Sequence, residues 1–247
     1  MKHKTSTTLF VLMTLITMPL GSRVYAVEKK DSIEVLDEDS FPDKDSDKFS
    51  RLTELDYERI ATQLGVEIAA IKAVSDIEAG KSHQGFVDVG QPVINFCSSL
   101  FRLRLRKAGI NPAKYSRSHR TAFASVNCSK YGSYGKAQHA RLSCAMEIDK
   151  DVAQESTYWG MFQIGGFNWS RCGVDSVGEF ARKMGESEAM QLELFARFLE
   201  NNGMVKYLQR KDWRGFAKAY NGARAIKRGY HRRMAVAYAK YKKQQTD

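Results

Sequence analysis

Apolar residues recur every three to four positions over most of the chain beyond residue 50, and Gly, Ser, Thr and Asp punctuate that rhythm where helices start and stop. Thr53 and Asp56 stand in capping-box positions, with Leu52 and Tyr57 placed as a hydrophobic staple, and the helix they open runs to Gly65. A second helix covers VEIAAIKAVSDIEAG and stops at Gly80. Residues 136–150 read as helix, with Leu142, Ala145 and Met146 on one side. Ser176 with Glu179 opens a further helix, and Ser187 opens SEAMQLELFARFLENNG, whose Leu192, Phe195 and Leu199 form a stripe ending before Gly203. Asp212 starts DWRGFAKAYNG, and a last helix places Tyr230, Met234, Ala237 and Tyr241 on one face.

Elsewhere the rhythm breaks. In SSLFRLRLRKAG, Phe101, Leu103 and Leu105 alternate with arginines, which is strand periodicity in residues whose propensity favours helix. QPVINF reads as a short extended piece, and residues 109–135 as loop. ESTYWGMFQIGGFN, residues 155–168, crowds Tyr158, Trp159, Phe162 and Phe167 among Gly160, Gly165 and Gly166. Neither a core strand nor an amphipathic helix tolerates that much glycine, so this stretch is expected to be a tight hairpin. The fold class is mostly α with one small β element.

Composition adds a boundary at each end of the scale. At 247 residues and 43% hydrophobic, the chain has the material for one large core. MKHK, a short apolar run and the ending Val24-Tyr25-Ala26 give residues 1–26 the form of a signal peptide, too short and too Pro/Gly-broken at Pro19 and Gly21 for a spanning helix. Residues 27–50 carry nine acids against four bases without periodicity and read as a disordered acidic linker. Of the whole-chain charge of +11, residues 51–247 therefore hold +13 once the three bases of the leader are set apart. Such a domain concentrates near polyanions, and for an exported protein those are wall polymers before nucleic acid. Cys97, Cys128, Cys144 and Cys172 show no metal-ligand spacing; they allow up to two disulfides in three pairings, or four thiols. The five histidines are scattered, so neither a metal nor another cofactor is expected.

Candidate chemistry begins at Glu78. With Ile71 and Val74 it falls at i, i+3 and i+7, which turns a carboxyl toward the core at a helix C-terminus. Desolvation and the negative end of the helix dipole both raise its pKa, as a general acid requires. Asp76 lies about 200° round the helix and is expected in solvent. The hairpin rings offer walls for sugar rings, Gln163 offers an amide for N-acetyl groups, and AKAYNGA ends a helix on Tyr220 and Asn221 before a glycine turn.

AAIKAVSDIEAG, STYWGMFQIGGFNWSRCG, SVGEFARKMGESEAMQLELFARFL and DWRGFAKAYNG, in that order, resemble the N-acetylmuramidase domain of phage endolysins and related bacterial proteins, within the lysozyme-like superfamily. The resemblance covers about residues 50–242 and implies a lysozyme-like fold over 51–247. It also implies a monomeric peptidoglycan hydrolase that cuts between N-acetylmuramic acid and N-acetylglucosamine. It places the catalytic glutamate at Glu78 and the substrate-binding positions at Ser156, Tyr158, Trp159, Phe162, Gln163, Tyr220 and Asn221. Three departures stand out. Cys97 occupies a place where the family usually has glutamate and Ser99 one where it has histidine, while Val89 lies near the place of an aspartate found in other members. Asp88 and Glu155 remain as possible second carboxylates.

Three alternatives follow from the same residues. A single acid also suits a lytic transglycosylase, and loss of the second carboxylate suits a wall-binding protein without catalysis. FRLRLRK and ARAIKRGYHRR mix basic and aromatic residues as a nucleic-acid binder would, but the leader and the lack of a nucleic-acid motif weigh against that partner. The expected setting is periplasmic or secreted, without stable membrane insertion once the leader is cleaved.

Overall fold

The computed structural model describes residues 51–79, 84–124 and 135–245. The expected leader and linker, the helix stop at Gly80 and Cys128 lie outside those residues. Helix α1 (Glu54–Leu64) starts as its sequence dictates: Thr53 Oγ1 accepts from Asp56 N–H and Asp56 accepts from Thr53 N–H at 2.8 Å. Gly65, at φ 61°, ends it in the left-handed conformation that glycine adopts without steric cost. Helix α2 (Ile68–Glu78) buries Ala69, Ala70, Ile71, Ala73 and Val74 completely. Asp76 is half-buried rather than in open solvent, because Tyr241 of the last helix lies beside it.

Strands β1 (Phe86–Asp88) and β2 (Gln91–Pro92) pair as a small hairpin. Strand β3 (Ile94–Phe96) instead joins β4 (Thr157–Trp159), with Ile94 opposite Trp159, and β4 pairs with β5 (Ile164–Gly165). Among the described residues the β structure is thus two small antiparallel sheets, more than the single element expected. The arginine-rich run is helix α3 (Ser98–Lys107): Leu100, Phe101 and Leu105 are buried and Leu103 faces out, as a helical period requires.

The stretch expected to be loop holds a 3-10 turn at Pro112–Lys114 and short helix α4 (Arg120–Phe123). Helix α5 (Lys136–Met146) stops earlier than its pattern suggests, because Asp149 accepts from Val152 N–H at 2.8 Å and caps a new helix, α6 (Lys150–Glu155). Helix α5 turns polar side chains inward. Gln138 accepts from Phe96 N–H at 3.2 Å and Arg141, fully buried, donates to Phe96 O at 3.1 Å, which satisfies the outer edge of β3.

Helices α7 (Val177–Met184) and α8 (Glu188–Asn201) are capped by Ser176 and Ser187 as the sequence indicates. Glu179 reaches back to Asp175 N–H, one residue before the capping-box position. Central α8 buries Leu192, Phe195 and Leu199, each contributing about 1.5–3 kcal/mol to stability. Short α9 (Val205–Gln209) and α11 (Arg224–Lys227) flank α10 (Trp213–Asn221), which Asp212 caps. The last helix, α12 (Tyr230–Gln244), lies along α2 and buries Met234 and Ala237, while Tyr230 and Tyr241 stay half-buried. Glu67, which begins α2, receives Tyr238 and Lys242 from α12. Cys97, Cys144 and Cys172 are free thiols. No helix of the described residues is long and apolar enough to cross a membrane.

Candidate active site

Glu78 is the last residue of α2 and continues its buried stripe. Ile71 and Val74 are completely covered, and the helix phase brings Glu78 to the end of the same stripe, where it is half-buried. Desolvation pushes it up to about 8, so the group is an acid at neutral pH. Two contacts pull weakly the other way. Asn221 Nδ2 donates to Glu78 Oε1 at 2.7 Å, and the positive charge of Arg233 lies near. Because Oε1 accepts that hydrogen bond, Oε2 is the oxygen left to hold the proton.

Asn221 reaches Glu78 because its helix is pinned to the hairpin. Tyr220 O–H donates to Phe162 O at 2.8 Å, and its ring stacks on Phe216 and meets Phe195 edge-on. Burial, aided by the nearby Glu78, holds the Tyr220 hydroxyl well above its usual range, which keeps it a donor. The chain then leaves α10 through Gly222 at φ 77°.

The turn Gly160–Gln163 completes this corner. Gly160 sits at φ 70°, and a Cβ there would lie 2.8 Å from Gln191 Oε1, so both the backbone and the space demand glycine. Gln163 takes φ 49°, rare for a residue with a side chain, and is held there by N–H and Nε2 bonds to Gly160 O at 3.0 and 2.8 Å. Strain of this kind gathers at functional sites. At the other end of the stretch, a Cβ on Gly166 would stand 2.1 Å from the Gln154 carbonyl.

Both carboxylates considered as partners are engaged elsewhere. Glu155 pairs with Arg104 and accepts from Trp169 Nε1 at 3.3 Å, while Asp88 pairs with Lys136 at 2.7 Å. Cys97 begins α3 with its Sγ 3.2 Å from Ser99 Oγ.

A half-buried glutamate at a helix end with its pKa pushed up to about 8, a strained Gln turn and a Tyr-Asn-Gly helix end lie close in the fold. Residues 67–242 match the family model described as Muramidase, N-acetylmuramidase. The chain belongs to the N-acetylmuramidase family. It is thus a muramidase-type glycoside hydrolase whose family acts on peptidoglycan. The crystal structure of a Burkholderia AP3 phage endolysin is similar, with a TM-score of 0.67 at 35% identity over 78% of this chain and 72% of that one. Among curated proteins there is no match.

In this muramidase the sequence-assigned residues divide by role. Tyr220, Asn221 and Gln163 meet at the corner beside Glu78, and of these only Gln163 and Asn221 keep partly exposed side chains. The rings expected as sugar walls are core. Trp159 donates to Gln154 O at 3.0 Å and meets Phe180 edge-on, Phe162 stacks on Phe195 at 4.3 Å, and Tyr158 abuts Phe167. Ser156, fully buried, donates to Val152 O at 2.7 Å. These rings and hydroxyls are consumed by each other, so they hold the turn in place.

Two site-building residues escaped the sequence reading. Gln191 accepts from Met161 N–H at 2.8 Å and donates to Gly85 O and Met184 O, while Glu188 accepts from Gly85 N–H and Leu52 N–H. Their signal was available: two polar residues on the stripe of Leu192 and Phe195, as Glu78 is on the stripe of Ile71 and Val74.

Proposed function

We propose that this muramidase hydrolyses the glycosidic bond between N-acetylmuramic acid and N-acetylglucosamine in peptidoglycan, with Glu78 as the general acid. The observation that carries the proposal is the Glu78 carboxyl at the end of α2, hydrogen-bonded by Asn221 at 2.7 Å and pushed up to about 8 by desolvation. Glu78 Oε2–H delivers its proton to the bridging oxygen as the bond from that oxygen to the anomeric carbon breaks. The carboxylate left behind is stabilised by the Asn221 N–H and by the charge of Arg233, contacts that favour the ionised form and therefore strengthen as the proton leaves. Water then adds to the anomeric carbon and gives up a proton to the Glu78 carboxylate, which restores the acid. Release of this activity outside the cytoplasm, through the leader at residues 1–26, belongs to the same reading.

Digestion of purified sacculi by the full chain, with products identified by mass, tests it. Reducing muramic acid ends are expected. Glu78→Gln should lower the rate by about 10²–10⁴-fold, the usual worth of a general acid. Unchanged turnover in that variant removes Glu78 from the mechanism. Because Cys97 stands where a second carboxylate was expected, the product ends also report the nucleophile: 1,6-anhydro ends would mean attack by the muramoyl 6-hydroxyl.

A further inference from the structure

The positive surplus is not spread evenly over the domain. From Trp213 to Thr246 the sequence holds ten lysines and arginines and no aspartate or glutamate. That stretch contains α10, α11 and α12, three helices packed on one another, with α12 lying along α2. The outward side of α12 is laid out in steps of one turn. Arg232, Val236 and Lys240 fall at i, i+4 and i+8, and all are exposed, Val236 at 71%. Arg233 stands beside this row, and its charge reaches Glu78. A basic row with an apolar residue at its centre therefore runs up to the acid, and the mechanism above leaves it unused.

The same chain carries a complementary segment. DSIEVLDED, residues 31–39, has five acids and no base, with Ile33, Val35 and Leu36 set between them. Carboxylates flanking a short apolar centre match bases flanking Val236, in charge and in order. The point where the chain enters the fold allows the match. Arg51 shares a recess at the end of α2 with Ser75 and Ala79, so the chain arrives at the Glu78 end of that helix. Asp39 is twelve residues from Arg51, a reach of up to about 40 Å, whereas α12 is about 22 Å long. Tethering also makes a weak contact sufficient. A connection this short gives an effective concentration on the order of 1 mM, so even a contact with a Kd of about 1 mM is roughly half occupied.

We propose that the outward face of α12 is a docking surface for the acidic segment 31–39 of the same chain. The docked segment withholds the basic row from other polyanions, so an anionic wall must displace it to be held. The test compares the full chain in two forms, unmodified and an amide form carrying Asp31→Asn, Glu34→Gln, Asp37→Asn, Glu38→Gln and Asp39→Asn. Its probe is a fluorescent synthetic peptide of residues 27–50, titrated by anisotropy. At about 50 mM sodium chloride the peptide should bind the amide form at least about fivefold more tightly than the unmodified chain, whose own segment holds the face. Adding Arg232→Ala and Lys240→Ala to the amide form should weaken the peptide several-fold with the melting temperature unchanged, since both side chains are exposed. Purified sacculi should retain several-fold more of the amide form than of the unmodified chain at about 50 mM salt, and equal amounts at about 300 mM. Equal peptide affinity for the two forms, including no detectable binding of either, overturns the inference. So does equal retention on sacculi at the lower salt, or full peptide affinity kept without Arg232 and Lys240. An apparent mass that rises with concentration for the unmodified chain alone would put the segment on a second copy, which overturns it too. None of these readouts depends on cleavage, so they are decided apart from the muramidase reading.

Discussion

On the proposed mechanism Glu78 carries the chemistry, and its environment has thermodynamic consequences that can be read without substrate. The folded protein holds the Glu78 proton up to about pH 8, whereas an unfolded chain releases it near 4.5. Stability from this group is complete below about 4.5 and is lost as pH rises toward 8, at up to about 1.4 kcal/mol per pH unit between them. Glu78→Gln removes that slope, so urea melts at pH 5 and pH 8 should differ less for the variant than for the parent. Parallel behaviour of the two proteins would mean that the carboxyl is solvated. Asn221 tunes the same group. Its hydrogen bond favours the ionised form, so Asn221→Ala should raise the Glu78 pKa further, move the alkaline limb of the pH–rate profile upward and lower kcat about tenfold. An unmoved limb would reduce Asn221 to a sugar contact.

At the level of elements, the site depends on one tie between α10 and the hairpin. Tyr220→Phe keeps the ring stacked on Phe216 but leaves the Phe162 carbonyl unpaired in the core, a cost of about 1–3 kcal/mol. Because the tie also positions Asn221, the variant should lose kcat at a temperature where it is still folded by circular dichroism. A stability loss with full activity would show that the tie is structural only. Helix starts and stripes were legible in the sequence because caps and apolar periodicity act locally: Thr53, Ser176, Ser187 and Asp212 each bond a backbone N–H three residues on. The pairing of β3 with β4 was not, since Ile94 and Trp159 are brought together only by the folded core. Local pattern also could not show that Trp159 and Phe162 face inward. An aromatic between glycines reads the same whether its ring meets Phe180, Phe195 or a sugar, and only packing decides.

The whole molecule adds a field to this local machinery. Part of its positive charge is spent internally, as in Arg104 on Glu155 and Lys242 on Glu67, but Arg106, Lys107, Arg232 and Lys240 are exposed. A +13 surplus on residues 51–247 attracts an anionic wall over distances that salt shortens to about 10 Å at 0.1 M. The field acts on encounter with the polymer, whereas the proposed proton transfer from Glu78 would happen at contact, inside the packed corner where salt has little reach. The two contributions therefore separate by substrate. Raising sodium chloride from 50 to 300 mM should cut the initial rate on intact sacculi several-fold and leave cleavage of short, uncharged N-acetylated oligosaccharides nearly unchanged. Identical salt curves on both substrates would show that the basic surface does not steer the enzyme to its wall, and would return those lysines and arginines to the role of solubilising charge.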